Sequence, residues 1–177
     1  MPRISATRVR ISTPPVVISM ISSSSLTSLA PTTVPLRSLS AKGKVKQAVD
    51  FINVFLDSGK KLIIFCSLHE IVDELKKVFP RAVSVTGRDS AISKQAAVDS
   101  FQQNPDTKLI ICSIKAAGVG LTLTASSNVV FIELAWTYAD CCQCEDRAHR
   151  IGQKDNVTCY YLIGRGTIDG VIYNMII

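Results

Sequence analysis

Acidic residues are missing from the first 49 positions, which hold seven basic ones: Arg3, Arg8, Arg10, Arg37, Lys42, Lys44 and Lys46. The 177-residue chain carries 20 Lys and Arg against 14 Asp and Glu, a formal charge of +6. The other 13 basic residues and all 14 acids lie in residues 50–177, which therefore carry −1. That excludes a global positive field over the folded part, so any nucleic-acid contact there has to be a local patch. A Gly-x-x-x-x-Gly-Lys-Ser/Thr phosphate loop is also missing, because Gly43-Lys44 and Gly59-Lys60 lack the earlier glycine. Asp73-Glu74 falls within an amphipathic helical stretch rather than after a strand, a poor place for a magnesium-binding acid pair. Val16 to Ile21 is too short and too interrupted to span a membrane. No secretory signal pattern is present.

The six cysteines include no Cys-x-x-Cys pair. Cys141, Cys142 and Cys144 lie near His149, but adjacent helical residues point about 100° apart, which suits a tetrahedral metal site poorly. No metal is expected. Without a signal peptide the even count does not imply disulfides. Cys66, Cys112 and Cys159 sit in apolar runs and read as small buried core residues.

Residues 1–43 are basic and rich in Ser, Thr and Pro, with Ser22-Ser-Ser-Ser25 at their centre. They lack a sustained period and read as a disordered leader. Arginine and serine without acids resemble an organellar transit peptide; a linker or a misplaced gene start is the plainer reading. From Lys44 the pattern turns regular. Val45, Val49, Ile52, Phe55 and Leu56 keep a helical period that ends at Gly59. Leu62 to Cys66 is a short apolar run without alternation, which predicts a strand buried on both faces. Ser67 can cap a helix to about Phe79, with Ile71, Val72, Leu75 and Val78 inward. Ala82–Val85 predicts a strand, Ser90 starts a helix to about Gln103, and Leu109–Cys112 and Val129–Ile132 predict two more strands. Ala139–Arg150 is helical, Thr158–Ile163 a fifth strand, and Thr167 opens a last helix that the end of the chain cuts short. Such alternation predicts an α/β fold, a parallel sheet with helices on both faces. Ligands in such sheets gather at the carboxyl ends of the strands, where Ser67, Thr86-Gly87, Ser113–Gly120 and Glu133–Thr137 fall.

The segment Gln143-Cys-Glu-Asp-Arg147-Ala-His-Arg150-Ile-Gly152-Gln153 carries the strongest chemistry. A helix would place Gln143, Arg147 and Arg150 on one face. Neighbouring guanidiniums repel unless an anion lies between or before them, and a polyphosphate suits two planar forks of donors. Gly152 can take the left-handed turn that stops the helix. A solvated charged helix is the alternative, with Asp146 and Arg150 as an i,i+4 pair worth about 0.2–0.5 kcal/mol. Ser113-Ile-Lys-Ala-Ala-Gly118-Val-Gly120-Leu-Thr122 follows a predicted strand, and its glycines let backbone approach a ligand.

In their order along the chain these segments resemble the C-terminal lobe of SNF2-type DNA translocases, within superfamily 2 helicases. Leu62–Ser67 is similar to motif IV and Thr86-Gly87 to the short motif after it. Ser113–Thr122 is similar to motif V, and Gln143–Gln153 to motif VI. Ala116-Ala-Gly-Val-Gly-Leu-Thr122 and Tyr161-Leu-Ile-Gly-Arg-Gly-Thr-Ile-Asp169 look most similar to the HARP-like annealing-helicase branch and its bacterial relatives. The usual Trp-Asn-Pro-Gly is Trp136-Thr-Tyr-Ala139 here. The resemblance covers residues 44–177 and implies a RecA-like domain. It implies Arg147 and Arg150 as arginine fingers with Gln143 beside them, and Gly118, Gly120 and Leu121 as the nucleotide-facing loop. Ser67, Thr86, Gly87, Ser113 and Trp136 would meet DNA through hydroxyls, N–H groups and an aromatic face. Lys115 is an added DNA contact or a solvated charge. ATP with magnesium would be shared with an N-terminal RecA-like lobe, which holds the phosphate loop and magnesium acids missing here. The expected partners are therefore double-stranded DNA and that lobe, and no membrane. The expected location is intracellular, the nucleus in a eukaryote or the cytoplasm in a bacterium. The alternative is a truncated, non-catalytic module that binds DNA or a partner. An RNA helicase lobe is disfavoured by the Arg-Ile-Gly-Gln ending.

Overall fold

The computed structural model describes residues 10–11, 30–117, 120–164 and 166–176. Its elements are β1 (Arg10–Ile11), α1 (Ala30–Asp57), β2 (Leu62–Cys66), α2 (His69–Val78), β3 (Val83–Val85), α3 (Ala91–Gln103) and β4 (Leu109–Ser113). They continue as α4 (Ile114–Ala117), β5 (Asn128–Phe131), α5 (Tyr138–Ala148), β6 (Thr158–Tyr161), β7 (Ile163–Gly164) and α6 (Ile168–Ile176). Five strands form one sheet in the order β3-β4-β2-β5-β6. Every pairing within it is parallel.

Apolar runs build the sheet's centre because both of its faces are covered. Alternate residues of β2, β4 and β5 divide between two clusters. Ile63, Phe65, Ile110, Cys112, Val129 and Phe131 pack with Val98 and Phe101 of α3, Cys144 of α5 and Ile172 of α6. Leu62, Ile64, Cys66, Leu109, Ile111 and Val130 pack with Ala48 and Ile52 of α1 and with Ile71 and Leu75 of α2. Phe65, Phe131 and Tyr161 stack across three neighbouring strands, with ring centroids 5.2 and 4.8 Å apart. Burying a large apolar side chain of this kind contributes about 1.5–3 kcal/mol.

Three expectations change. The predicted strand Thr158–Ile163 is divided at Leu162, whose N–H still bonds the Phe131 carbonyl at 2.9 Å. Ile163 and Gly164 leave the main sheet and pair in parallel with β1. The cap of α2 is not Ser67. Leu68 occupies that position without a side-chain cap, whereas Ser90 and Thr137 do cap α3 and α5. Residues 30–43, read as leader, belong to α1. Arg37, Ser40, Ala41 and Lys44 are buried at 7, 6, 1 and 0% exposure. Their i, i+3, i+4, i+7 spacing makes one helical stripe that continues through Ala48 and Ile52. A search for apolar periodicity misses it, because three of its first four residues are polar. Residues 1–9 and 12–29 of the leader lie outside the described residues.

Lys44 explains how that stripe is satisfied. Its Nζ donates to the Ile132 and Leu162 carbonyls at 2.6 and 2.8 Å and pairs with Asp169 at 2.5 Å. Asp169 also accepts the Gly164 N–H at 2.9 Å. Ser40 donates to the Thr167 hydroxyl at 3.0 Å. A buried charge survives only when paired and hydrogen-bonded, and both conditions hold here. The helix is thereby fixed to the ends of β5 and β6, beside the carboxyl edge of the sheet.

Candidate functional site at the carboxyl edge of the sheet

A cleft of about 330 Å³ opens at the carboxyl ends of β2, β4 and β5. Four of the predicted site residues line it: Ser67, Lys115, Trp136 and Gln143. Each arrives from a different segment. Ser67 follows β2, Lys115 lies in α4, Trp136 follows β5, and Gln143 is on α5. Arg37 of α1 also lines it, a residue the sequence placed in the leader. Its guanidinium carbon lies 4.3 Å from the Trp136 ring centroid. One η nitrogen donates to the Leu134 carbonyl and, at 3.2 Å, to Ser67 Oγ.

Glu133 sits beneath this group at 3% exposure. Its Oε2 accepts the N–H groups of Ser67 and Leu68 at 2.8 and 2.9 Å. The first donors of α2, which motif IV implied for a strand phosphate, are thus taken by a carboxylate of the same chain. The other oxygen, Oε1, is buried without a partner among the described residues. Burial pushes the Glu133 carboxyl above its ordinary range; the two N–H donors, Arg37 and Lys44 pull the other way. Burial likewise lowers the Arg37 guanidinium, opposed by Glu133 and Asp169.

Other predicted residues take different places. Thr86 and Gly87 follow β3, at the far side of β4 from the cleft. The Thr86 hydroxyl donates to Asp89 at 2.8 Å and is buried. Ser113 is also buried, and its Oγ accepts the Ala116 N–H at 3.2 Å. Both hydroxyls shape turns inside the domain. Leu121 packs into the core, which leaves its backbone as the part able to meet a ligand. Gly118 lies outside the described residues. Gly120 has φ of +58°, a left-handed conformation that glycine tolerates.

The arginine segment is shorter as a helix than expected. α5 ends at Ala148, so Arg150 is not on a helical face with Gln143 and Arg147. The predicted Asp146–Arg150 pair is not among the ion pairs of the described residues. Arg150 instead donates to the Gly120 carbonyl at 3.0 Å and the Thr122 hydroxyl at 2.9 Å. The Arg147 carbonyl accepts the Leu123 N–H at 2.8 Å. The Gln153 amide donates to the carbonyls of Thr124 and Ser126 at 3.2 and 3.0 Å. Gly152 has φ of +106°, and Gln153 N–H closes the turn onto the Arg150 carbonyl at 2.9 Å. These bonds join the arginine segment to loop 120–126. Arg147 Nε is buried with no partner among the described residues.

Residues 43–152 match the helicase conserved C-terminal domain family. The chain belongs to that family. This helicase domain is 38% identical over 141 residues to human DNA annealing helicase and endonuclease ZRANB3, covering 77% of the chain and 13% of that protein. It is 40% identical over 121 residues to a Caenorhabditis elegans homologue of the SWI/SNF-related matrix-associated actin-dependent regulator of chromatin subfamily A-like protein 1. That match covers 66% of the chain and 18% of the relative. Among solved structures, the C-terminal part of the Fun30 ATPase domain matches with a TM-score of 0.70 at 27% identity, over 75% of this chain and 44% of that one. The Sulfolobus solfataricus SWI2/SNF2 ATPase core in complex with dsDNA matches with a TM-score of 0.69 at 25% identity, over 82% and 34%. The fold is the RecA-like lobe of SNF2-type ATPases, and the domain spans less than a fifth of these two curated relatives.

Within the helicase domain, all six cysteines are free thiols. Burial raises Cys66 and holds Cys112 at about 12, so neither offers a thiolate. Cys141, Cys144 and Cys159 are raised by the same cause. Among the described residues no group of three or more His, Cys, Asp or Glu is placed to hold a metal ion. No helix among them is long and apolar enough to cross a membrane.

Proposed function

We propose that this helicase domain is the C-terminal half of a SNF2-type ATP-dependent DNA translocase. Arg147 and Arg150 serve as arginine fingers, Gln143 stands beside them, and the cleft forms part of a duplex groove. The observation that carries the reading is the joined arginine segment and loop 120–126. It holds Arg150 on an exposed rim and leaves Arg147 Nε as a buried donor without a partner among the described residues. Donors held in advance near a developing phosphate charge are what phosphoryl transfer requires.

The domain's residues fit a nucleotide only in part. Two guanidiniums and a glycine backbone are present; a phosphate loop and magnesium-binding acids are not. A second lobe, joined to this one or supplied separately, holds the magnesium nucleotide. Closure of the two lobes brings the arginines to the transferring phosphoryl group, and opening after hydrolysis lets the pair step along duplex DNA. The work is intracellular, in a nucleus or a bacterial cytoplasm. The competing reading is a non-catalytic module that binds DNA or a partner without meeting an ATPase lobe. The missing phosphate loop favours it for the chain taken alone.

The deciding measurement is ATP turnover with and without an upstream lobe that bears a phosphate loop and an acid box. The isolated chain turns over no ATP, and joining it to that lobe yields DNA-stimulated hydrolysis. Turnover by the pure chain, or none from the joined protein, would sink the motor reading.

A further inference from the structure

We propose that Arg37 is a positioning residue for duplex DNA, which turns the Ser67 hydroxyl toward the cleft as a donor and holds the Trp136 ring at its mouth. The proposal rests on the DNA-translocase reading above. It assigns to the start of α1 a role that none of the helicase motifs contains.

Arg37 itself is badly placed to be a phosphate ligand. It is 7% exposed, and its η nitrogen is committed to the Leu134 carbonyl and Ser67. Its effect is on what it touches. A serine hydroxyl has one proton and can accept as well as donate. Because Ser67 Oγ accepts from Arg37, the hydroxyl proton has to point elsewhere. Among the described residues no acceptor takes it, and Ser67 lines the cleft. The Ser67 N–H already belongs to Glu133, so the hydroxyl is the donor this residue keeps for a phosphodiester oxygen.

Trp136 is 48% exposed, with the guanidinium over its ring at 4.3 Å. A cation over an indole face fixes the ring without closing off the rest of it. A planar guanidinium can stack and hydrogen-bond at once, which a lysine ammonium cannot. One buried side chain thus sets a donor and a flat apolar surface side by side. A nucleic-acid backbone offers an oxygen for the first and a sugar or base for the second. Exposed Lys115 adds positive charge on the same cleft. Asp140, also on the cleft, accepts from the Thr137 hydroxyl at 2.7 Å and opposes an anion there.

The test uses the full chain and a short DNA duplex at low salt. Trp136 is the only tryptophan, so its emission reports on the stack directly. Arg37→Ala and Arg37→Lys should both change that emission and weaken duplex binding about tenfold, the sum of a cation–π contact and a hydrogen bond. The slope of affinity against salt should stay as in the wild type, because no phosphate contact is lost. Ser67→Ala should also weaken binding, and the double variant Arg37→Ala with Ser67→Ala should be no worse than the weaker single one. Rescue by lysine, a shallower salt slope, or additive losses would each overturn the positioning role. Should Arg37→Ala lose its cooperative melt, Arg37→Lys and Ser67→Ala carry the comparison. Wild-type affinity with unchanged emission in a folded Arg37 variant overturns this proposal alone. A wild-type chain that binds no duplex overturns the DNA reading and takes the proposal with it.

Discussion

Glu133 places a carboxylate against the first N–H groups of α2, where a helix would otherwise attract an external anion. Its raised pKa has a definite sign in stability. Between the ordinary glutamate range and the raised value, the folded state binds more protons than the unfolded one, so stability falls as pH climbs through that window. Glu133→Gln removes the titration at nearly the same shape. The variant's thermal midpoint should therefore gain on the wild type as pH rises from about 4, near the reference glutamate value. Burial also raises Glu145, which accepts from the Tyr161 hydroxyl, but its contribution is common to both proteins. Parallel midpoint curves would show that Glu133 does not titrate as described. The two arginines make a second prediction. In a protein with both lobes, Arg147→Ala or Arg150→Ala should lower turnover about 10³-fold, with ATP affinity changed far less. Unchanged turnover would reduce both to structural residues. Ser67, Lys115, Trp136 and Gln143 were legible as cleft residues because all lie at or just beyond predicted element ends, which alternation along the chain makes visible. Arg37 was not, because its role depends on a carbonyl 97 positions away.

Among the elements, α1 departs most from its reading. Its apolar residues from Val45 onward identify a helix, but its buried stripe starts with Arg37 and Ser40, which pattern analysis assigns to solvent. Lys44 is the extreme case: a fully buried lysine whose partners lie 88 to 125 positions away. Lys44→Ala should destabilise the domain by about 3–5 kcal/mol, the effect of leaving a buried partner charge uncompensated, read from urea unfolding. A loss below about 1 kcal/mol, the level of a surface ion pair, would contradict the burial. Truncation separates leader from helix. Removing residues 1–29 should leave the cooperative thermal transition in place. Removing 1–43 should lower its midpoint, since Arg37, Ser40 and Ala41 go with it. Equal midpoints would return residues 30–43 to the leader. The α5 boundary failed for a local reason. Arg150 continues the helical spacing in sequence, yet the Gly120 carbonyl and Thr122 hydroxyl draw it out of the helix.

For the whole molecule, the net charge of −1 over residues 50–177 sets the scale of DNA binding. The domain alone should bind duplex weakly and with strong salt dependence, since few phosphate contacts are available to it. An added ATPase lobe should raise affinity and make it respond to a non-hydrolysable nucleotide. A salt titration without the basic leader checks this, and tight, nucleotide-indifferent binding by the single lobe would favour the stand-alone module. The α/β class was legible because each strand of a doubly covered sheet is a short apolar run. The strand order was not, because it depends on which edges meet. That order bears on synthesis. β2 lies between β4 and β5, so a nascent chain that has emerged only to residue 127 cannot close the sheet. One edge of Leu62-Ile-Ile-Phe-Cys66 then stays bare, an apolar segment able to pair with another chain. The ribosome has to deliver the residues just before the arginine segment before the oldest strand of the main sheet is safe from aggregation.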